Sequence, residues 1–482
     1  MKKALGLFCL ILLFFTVGCK NTEKSRPIST TVPGAVIPFY QNQKDVVIKT
    51  KKQPVQVGML LPLTGKSADI AEDLRNAAML AQFETTQENY TLSFYDTKGT
   101  KEGTKQAFNQ AIQEKTQIIL GPLFSQEVEA VKSLAKSHKI PVFSFTSDIK
   151  NLSNGVYSLA LTLQNQTHHI IRFACEKGAK RLAIMAPDNQ AGDIAIETAK
   201  KTASLCGIDI VKLSVYNPTF INFEPYVLSV LPENFVQIRK EKIAEKKRIR
   251  MGQAKKEEEI PEEEKLTVKE QLDFDALFIA DDGNRLKSIA SLFGLYDVYP
   301  QDVLFLGLST WHEESLSNEG ALMGAYFPLL AEESYDAFEQ KYEQTYAKKP
   351  HRLASLAYDA VALSSFLQEQ KTSEALNTLS PSGFIGTNGL FRFSEKGYSE
   401  QPMAIYKIAG PKKFIKVQKP STSFEIEDWK NEQLEDIKII NRYEEEHPYE
   451  AENPDEESVS PEHLETISTS QSTDLTSTSP LE

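Results

Sequence analysis

Val55-Gln56-Val57-Gly58-Met59-Leu60-Leu61 is an apolar run, closed by Pro62-Leu63-Thr64-Gly65 and followed by Ile70, Ala71, Leu74, Ala77, Ala78 and Ala81. The first stretch reads as a buried strand, the second as a turn, and the third has the spacing of a helix face. Working outward, a strand is expected over 91–95, a helix over 101–114, a strand at Ile118-Ile119-Leu120, a helix carrying Val128, Val131 and Leu134, and a strand at Pro141-Val142-Phe143-Ser144. Strand and helix in alternation predict a parallel sheet covered on both faces. Near 157–166 the pattern restarts, with helices over 167–177 and 192–206 and strands over 181–186, 209–215 and 276–280. The chain therefore reads as two α/β units in series. A further strand is expected at Val303-Leu304-Phe305-Leu306-Gly307, then helices over 334–346 and 352–367. Glycine-punctuated 383–393 leads into Ala404-Ile405-Tyr406-Lys407-Ile408, which suggests a closing hairpin.

The 482 residues allow two or three domains. With 41% apolar, 25% charged and 9% aromatic residues, the composition excludes a collagenous, multi-span or wholly disordered protein. Its net charge of −12 is local. Residues 421–482 hold 18 Asp or Glu against Lys430, Lys438 and Arg442, a net −15, so residues 1–420 sum to +3. The stretch 418–482 is expected to be an acidic disordered tail, with one short helix around Trp429, Leu434, Ile437, Ile439 and Ile440. Overall acidity thus does not decide the matter of nucleic acid; export and the lack of a nucleic-acid-binding motif argue against it.

Met1-Lys2-Lys3 and the apolar stretch to Gly18 predict a signal peptide over 1–18, too short for a spanning helix. Val17-Gly18-Cys19 resembles the lipobox of bacterial lipoproteins, which implies acylation of Cys19; plain secretion is the alternative. Lys20, rather than Asp, looks like outer-membrane sorting, and 19–53 reads as a tether. The expected location is the periplasm, anchored to the outer membrane. An oxidising compartment permits a disulfide between Cys175 and Cys206. Both fall in predicted helices, and sequence leaves open whether they pair or stay buried singly.

Residues 239–270 hold 11 Lys or Arg and 9 Asp or Glu, basic up to Lys256 and acidic from Glu257. They read as a solvated insertion interrupted at Pro261, either a self-compensating helical hairpin or a docking surface for another envelope protein.

Leu61-Pro62-Leu63-Thr64-Gly65, Tyr95-Asp96-Thr97, Leu120-Gly121-Pro122-Leu123-Phe124-Ser125 and Pro141-Val142-Phe143-Ser144-Phe145 together resemble the type I periplasmic binding protein fold over about 54–417. Five motifs are similar to the penicillin-binding protein activators, bacterial lipoproteins with a leucine-binding-protein-like domain. They are Gly121-Pro122-Leu123-Phe124, Ala186-Pro187-Asp188, Phe274-Asp275-Ala276-Leu277-Phe278, Leu356-Ala357-Tyr358-Asp359-Ala360-Val361-Ala362 and Gly389-Leu390-Phe391-Arg392-Phe393. The resemblance implies an α/β fold of two doubly wound parallel-sheet lobes with a ligand cleft: lobe 1 about 54–162 and 303–375, lobe 2 about 163–302 and 376–417. Cleft candidates are Ser125, Ser144, Thr146 and Ser147, at strand ends or helix starts, where relatives hold a ligand carboxylate. Capping and turn stabilisation is the equal alternative. Asp188, Asp281 and Asp282 follow strands and are expected to receive an ammonium group. Solute binders often place an aromatic residue and glycine where this chain has Gln190-Ala191-Gly192, so a stacking wall is missing.

Chemistry is sparse. Leu61-Pro62-Leu63-Thr64-Gly65 lacks the C-terminal apolar tail of a sortase signal, and Gly307-Leu308-Ser309-Thr310-Trp311 lacks the last glycine of a nucleophile elbow. The seven histidines show no metal spacing, His168 and His169 being expected at the surface, and no phosphate-binding glycine loop occurs. No cofactor or metal is expected. The reading is a non-enzymatic envelope lipoprotein that regulates peptidoglycan synthesis by binding penicillin-binding proteins. The alternative is a solute-binding protein that delivers amino acids or another small solute to an ABC transporter permease.

Overall fold

The computed structural model describes residues 55–85, 89–152, 155–251, 267–330, 332–369, 382–394 and 396–424. The expectations for the leader 1–18, Cys19 and the tether 19–53, for 252–266 with Pro261, and for the tail beyond 424 lie outside the described residues. Two compact units emerge: unit 1 takes 162 and below together with 330–402, and unit 2 takes 163–329 together with 403 onward.

Unit 1 opens with β1 (Val55–Leu61), α1 (Ala68–Thr85), β2 (Tyr90–Asp96), α2 (Lys101–Gln113), β3 (Ile118–Leu120), α3 (Ser125–His138), β4 (Val142–Ser144) and β5 (Val156–Ser158). The five strands form one parallel sheet in the order β2-β1-β3-β4-β5. The pleat of β1 sends Val57, Met59 and Leu61 to one core and Leu60 to the other, where Phe108, Ile119, Val128 and Val131 meet it. This two-sided burial is what a covered parallel sheet requires, and it explains the unbroken apolar run in the sequence.

In unit 2 the chain continues with α4 (Leu163–Glu176), β6 (Arg181–Pro187), α5 (Gln190–Cys206), β7 (Asp209–Tyr216), α6 (Glu224–Val230), α7 (Glu233–Arg250), α8 (Val268–Gln271), β8 (Ala276–Ile279), α9 (Gly283–Leu295), β9 (Leu304–Leu306), α10 (Glu314–Ser317) and β10 (Tyr326–Leu329). It returns to unit 1 for α11 (Glu332–Tyr346), α12 (Ala354–Glu369), β11 (Phe384–Gly386), β12 (Gly389–Phe393) and β13 (Ser399–Glu400). Unit 2 then receives β14 (Ala404–Gly410) and β15 (Lys413–Gln418), completing a sheet in the order β15-β14-β10-β9-β8-β6-β7. The last two strands run antiparallel.

Five expectations need correction. Residues 303–329 belong to unit 2, because β9 pairs in parallel with β8 and its Phe305 and Leu306 fill the two cores of that unit. Of the stretch 376–402, the described residues from 382 fall to unit 1, where strands β11, β12 and β13 form a small antiparallel sheet whose Phe384, Phe391 and Phe393 pack on the unit 1 core. The closing hairpin is therefore β14 with β15, not 383–393 with 404–408. The charged segment is corrected at its start. Helix α7 begins at Glu233, and Arg239 is buried, its guanidinium 4.6 Å from the Phe235 ring and 3.4 Å from the Asp297 carboxylate. Phe235, Val236 and Ile243 join the unit 2 core, so this half of the helix is part of the unit, while Lys246, Lys247, Arg248 and Arg250 are exposed. His168 and His169 are half-buried rather than on the surface, with rings 5.6 Å apart and His168 Nδ1 hydrogen-bonded to Thr202 Oγ1.

In unit 1 the two late sequence motifs meet at one carboxylate. Asp359, buried on α12, accepts hydrogen bonds from the Thr387 backbone N–H and hydroxyl, both at 2.8 Å, and so fixes the turn between β11 and β12. The approach is close enough that a Cβ at Gly386 would sit 2.7 Å from Asp359 Oδ2. Burial dominates the acid's ionisation and pushes its pKa up to about 7 against the lowering by Thr387. A folded pKa above the unfolded value means that protonation favours the folded state. This group's contribution is therefore greatest below about pH 4 and is lost as the pH rises toward 7, with a limiting slope of about 1.4 kcal/mol per pH unit. Asp359→Asn should flatten the pH dependence of unfolding free energy between pH 4 and 7, measured by urea titration; an unchanged slope would refute the assignment.

Candidate functional site

The four unit 1 candidates are placed at strand ends and helix starts, as expected, and their hydroxyls are largely committed to the fold. Ser125 opens α3; its Oγ donates to Asp148 Oδ2 at 2.6 Å and accepts from Asn151 Nδ2 at 3.1 Å. Ser144, fully buried at the end of β4, donates to the Tyr157 carbonyl at 2.8 Å. Thr146 is buried and its Oγ1 accepts from the Asp148 N–H at 3.1 Å, an ST turn, while Ser147 is exposed. Only the Thr146 bond is a turn bond; Ser125 ties the start of α3 to Asp148 and Asn151, and Ser144 ties β4 to β5. Sequence reasoning missed Glu127, which is fully buried beneath the same strand ends. Its carboxylate accepts from the Phe124 N–H at 2.9 Å and the Thr104 hydroxyl at 3.3 Å, and burial raises its pKa against the lowering by Thr97 and these two bonds.

Unit 2 holds a cavity of about 240 Å³ at the carboxyl ends of its parallel strands. Leu163 and Gln166 reach it from α4, Pro187, Asn189 and Ala191 from the β6–α5 turn, Ala280, Asp281, Asp282 and Arg285 from the β8–α9 turn, and Leu308 and Thr310 from beyond β9. The position follows from parallel topology, since each strand ends where the next helix begins. Local chemistry builds the walls. Asn189 caps α5 by accepting from the Gly192 N–H at 3.0 Å, and a Cβ on Gly192 would lie 1.8 Å from the Pro187 carbonyl oxygen. Glycine is thus demanded by the close approach of helix to strand. Gln166 Oε1 accepts from the backbone N–H and the hydroxyl of Ser309, at 2.9 and 2.7 Å, tying α4 to the loop after β9.

Asp281 is the centre of the polar side. It is buried, and both of its oxygens are engaged: Arg285 Nε donates to Oδ2 at 2.8 Å and Arg285 NH2 to Oδ1 at 2.6 Å. The Tyr216 hydroxyl donates to Oδ2 at 2.7 Å and the Asp282 N–H to Oδ1 at 2.8 Å. Trp311 Nε1–H binds the Asp281 carbonyl at 2.9 Å, and its indole lies so close over Gly307 that a Cβ there would be 1.9 Å away. Burial, then the Asp281 charge, pushes the Tyr216 phenol up; the Asp281 hydrogen bond holds the Arg285 guanidinium above its ordinary range. A bidentate arginine pair is already a strong match for a carboxylate, so Asp281 meets its positive charge within the chain. Asp188 and Asp282 are exposed. Of the three acids, the cavity brings together Asp281 and Asp282 but does not include Asp188. Arg285, Tyr216 and Trp311 were missed by the sequence reading. The i, i+4 spacing of Asp281 and Arg285 was the available signal, hidden because no helix was assigned to 283–295.

Among the described residues, no group of three or more His, Cys, Asp or Glu is placed to hold a metal ion, and no helix is long and apolar enough to cross a membrane.

Arg285→Ala should destabilise the protein by about 2 kcal/mol in urea titration. That is less than the roughly 3–5 kcal/mol for a wholly buried pair, because the guanidinium is 40% exposed. Asp281→Asn combined with Arg285→Met should lose less than Arg285→Ala alone, since no buried charge is then left without its partner; an equal or greater loss would show that the pair matters only as packing.

Comparisons with known proteins follow this geometry. Residues 54–235 match a family model described as periplasmic binding protein. A stretch of 159 residues is 25% identical to the penicillin-binding protein activator LpoA of Vibrio cholerae serotype O1, covering 32% of this chain and 26% of that protein. The match thus spans about a quarter of the curated relatives' length. Among solved structures, a candidate branched-chain amino acid ABC transporter from Rhodospirillum rubrum has a TM-score of 0.59 at 14% identity, over 76% of this chain and 100% of that one. A branched-chain amino acid ABC transporter periplasmic ligand-binding protein from Burkholderia xenovorans LB400 gives 0.52 at 13% identity, over 77% and 93%. An ABC transporter substrate-binding protein from Sphaerobacter thermophilus gives 0.51 at 16% identity, over 78% and 100%. At such identities the structural likeness speaks for the fold alone. The chain accordingly has the type I periplasmic binding protein fold, and over 159 residues its sequence is similar to that of a penicillin-binding protein activator.

Proposed function

We propose that this chain is a non-catalytic envelope protein that binds penicillin-binding proteins and regulates peptidoglycan synthesis, with a periplasmic binding protein fold used for protein recognition. The observation that carries the reading is the 159-residue match to a protein named as a penicillin-binding protein activator. The arrangement of unit 2 supports it. An amino-acid receptor needs an acid with an oxygen to spare for the ligand ammonium, and the buried Asp281 gives its oxygens to Arg285, Tyr216 and the Asp282 N–H. Lipidation at Cys19 and retention at the outer membrane complete the proposal, since several acyl chains hold a protein on a membrane stably.

A second reading, solute binding for an ABC transporter, is favoured by the cavity itself. Its lining joins apolar Leu163, Pro187, Ala191, Ala280 and Leu308 to the Arg285 guanidinium, which suits a small solute with an anionic or hydrogen-bond-accepting group. In that reading Asp281 and Asp282, which line the cavity, are the proposed ligand contacts of unit 2, and a permease is the partner.

The leading reading is tested with purified components. The full chain, immobilised, should retain a purified penicillin-binding protein from the same organism and raise its rate of glycan polymerisation or cross-linking. Failure to bind any of that organism's synthases, with the chain shown to be folded by circular dichroism, would remove it.

A further inference from the structure

The sequence leaves the pairing of Cys175 and Cys206 open, and neither function above uses them. Cys175 lies in the last turn of α4 and Cys206 is the final residue of α5, two neighbouring helices of unit 2. Both thiols are half-buried and pack against the same core, which includes Ala174, Ala203 and Ile208. The Cys175 thiol is turned toward the other cysteine: its Sγ is 3.6 Å from the Cys206 carbonyl oxygen. Gly207, in the left-handed region at φ 67°, ends α5 right after Cys206, and its N–H bonds back to Ala203 and Ser204. Cys206 is thereby held at a fixed place, not on a drifting chain end.

We propose that Cys175 and Cys206 form a disulfide that staples the C-terminal ends of α4 and α5. A disulfide requires cysteines already disposed face to face, and pairs whose side chains diverge need backbone movement to close. Here the Cys175 side chain already lies against Cys206 before any bond is made. Burial, followed by the neighbouring Cys175 sulfur, pushes the Cys206 thiol up. The oxidant is a disulfide-bearing molecule, such as a thiol–disulfide oxidoreductase or oxidised glutathione. One cysteine, as thiolate, attacks a sulfur of that disulfide, forming a mixed disulfide and expelling the oxidant's other sulfur as a thiolate. The second cysteine, as thiolate, attacks the protein sulfur of the mixed disulfide, closes the Cys175–Cys206 bond and releases the remaining oxidant sulfur. Two S–H bonds are lost, one S–S bond is made, and two electrons and two protons pass to the oxidant, which leaves as two thiols. The bond closes a loop that contains β6 and most of α5, so it restricts the unfolded chain and stabilises unit 2.

The test uses the full chain equilibrated with oxidised or reduced glutathione, quenched with N-ethylmaleimide and mapped by peptide mass spectrometry. Oxidation should yield a Cys175–Cys206 cross-linked peptide lighter by two hydrogens than the sum of its parts, and a melting temperature several degrees above that of the reduced protein. Dithiothreitol should reverse both. Cys175→Ser and Cys206→Ser should each leave the other residue of the pair to take a glutathione adduct, and should abolish the redox-dependent shift. Maleimide on both cysteines after oxidation, separate glutathione adducts on the unaltered chain, or a cross-link of either residue to Cys9 or Cys19 would each overturn the proposal. The mapping of the unaltered chain decides the matter even if a variant fails to fold.

Discussion

A parallel sheet exposes no face that can be left wet, and every strand-to-strand connection must carry a helix across it. That constraint governs both units. It makes β1 apolar on both sides, with Val57 and Met59 in one core and Leu60 in the other. It also sets the N-termini of helices such as α1, α2, α3, α5 and α9 after a strand's carboxyl end, and the two units meet this demand with the same local device. Thr100 caps α2 and Asn189 caps α5, each accepting from the N–H of a glycine three residues on, Gly103 or Gly192. In each case a Cβ on that glycine would collide with the last carbonyls of the preceding strand, at 2.2 Å from Thr97 O and 1.8 Å from Pro187 O. The loops so formed are where a ligand or partner would be met.

What the loops of unit 2 offer is decided by charge. A buried carboxylate needs a counter-charge and hydrogen bonds, and Asp281 obtains them from Arg285 four residues on, from Tyr216 at the end of β7 and from its neighbour's N–H. The bond from Trp311 to the Asp281 carbonyl links this centre to the loop after β9, and Gln166 links that loop to α4. Three crossings of the sheet's end are thereby held together by hydrogen bonds internal to the unit. A surface organised in this way has its buried charge and loops tied together by the chain's own groups.

Much of the architecture could be read from local pattern. The apolar run at 55–61, the alanines at 71, 77, 78 and 81, and the strand at 181–186 all coincide with structural elements. Strand β10 was hidden by Pro328, which argues against a central strand. The structure admits it because β10 pairs with β9 only at Tyr326 and Leu306, so Pro328 lies past the point where an N–H would be needed on that side. Helix α9 carried its signal in Leu286, Ile289, Ala290 and Phe293, with glycines at 283 and 294 weakening it. The site was legible only as residue types at strand ends. Ser144 facing the Tyr157 carbonyl and Asp281 closing on Arg285 are outcomes of packing between segments far apart or of a helix not assigned, and no spacing rule reports them.

If Asp281 is satisfied from within unit 2, as its bonds to Arg285, Tyr216 and the Asp282 N–H indicate, the proposed function requires that no amino acid bind there. Isothermal titration calorimetry of the full chain against the twenty common amino acids tests it most directly. The account predicts no saturable heat for any of them at micromolar to millimolar concentration. A micromolar or tighter isotherm for one amino acid, lost in Asp281→Ala, would contradict it and return the chain to the solute-binding proteins.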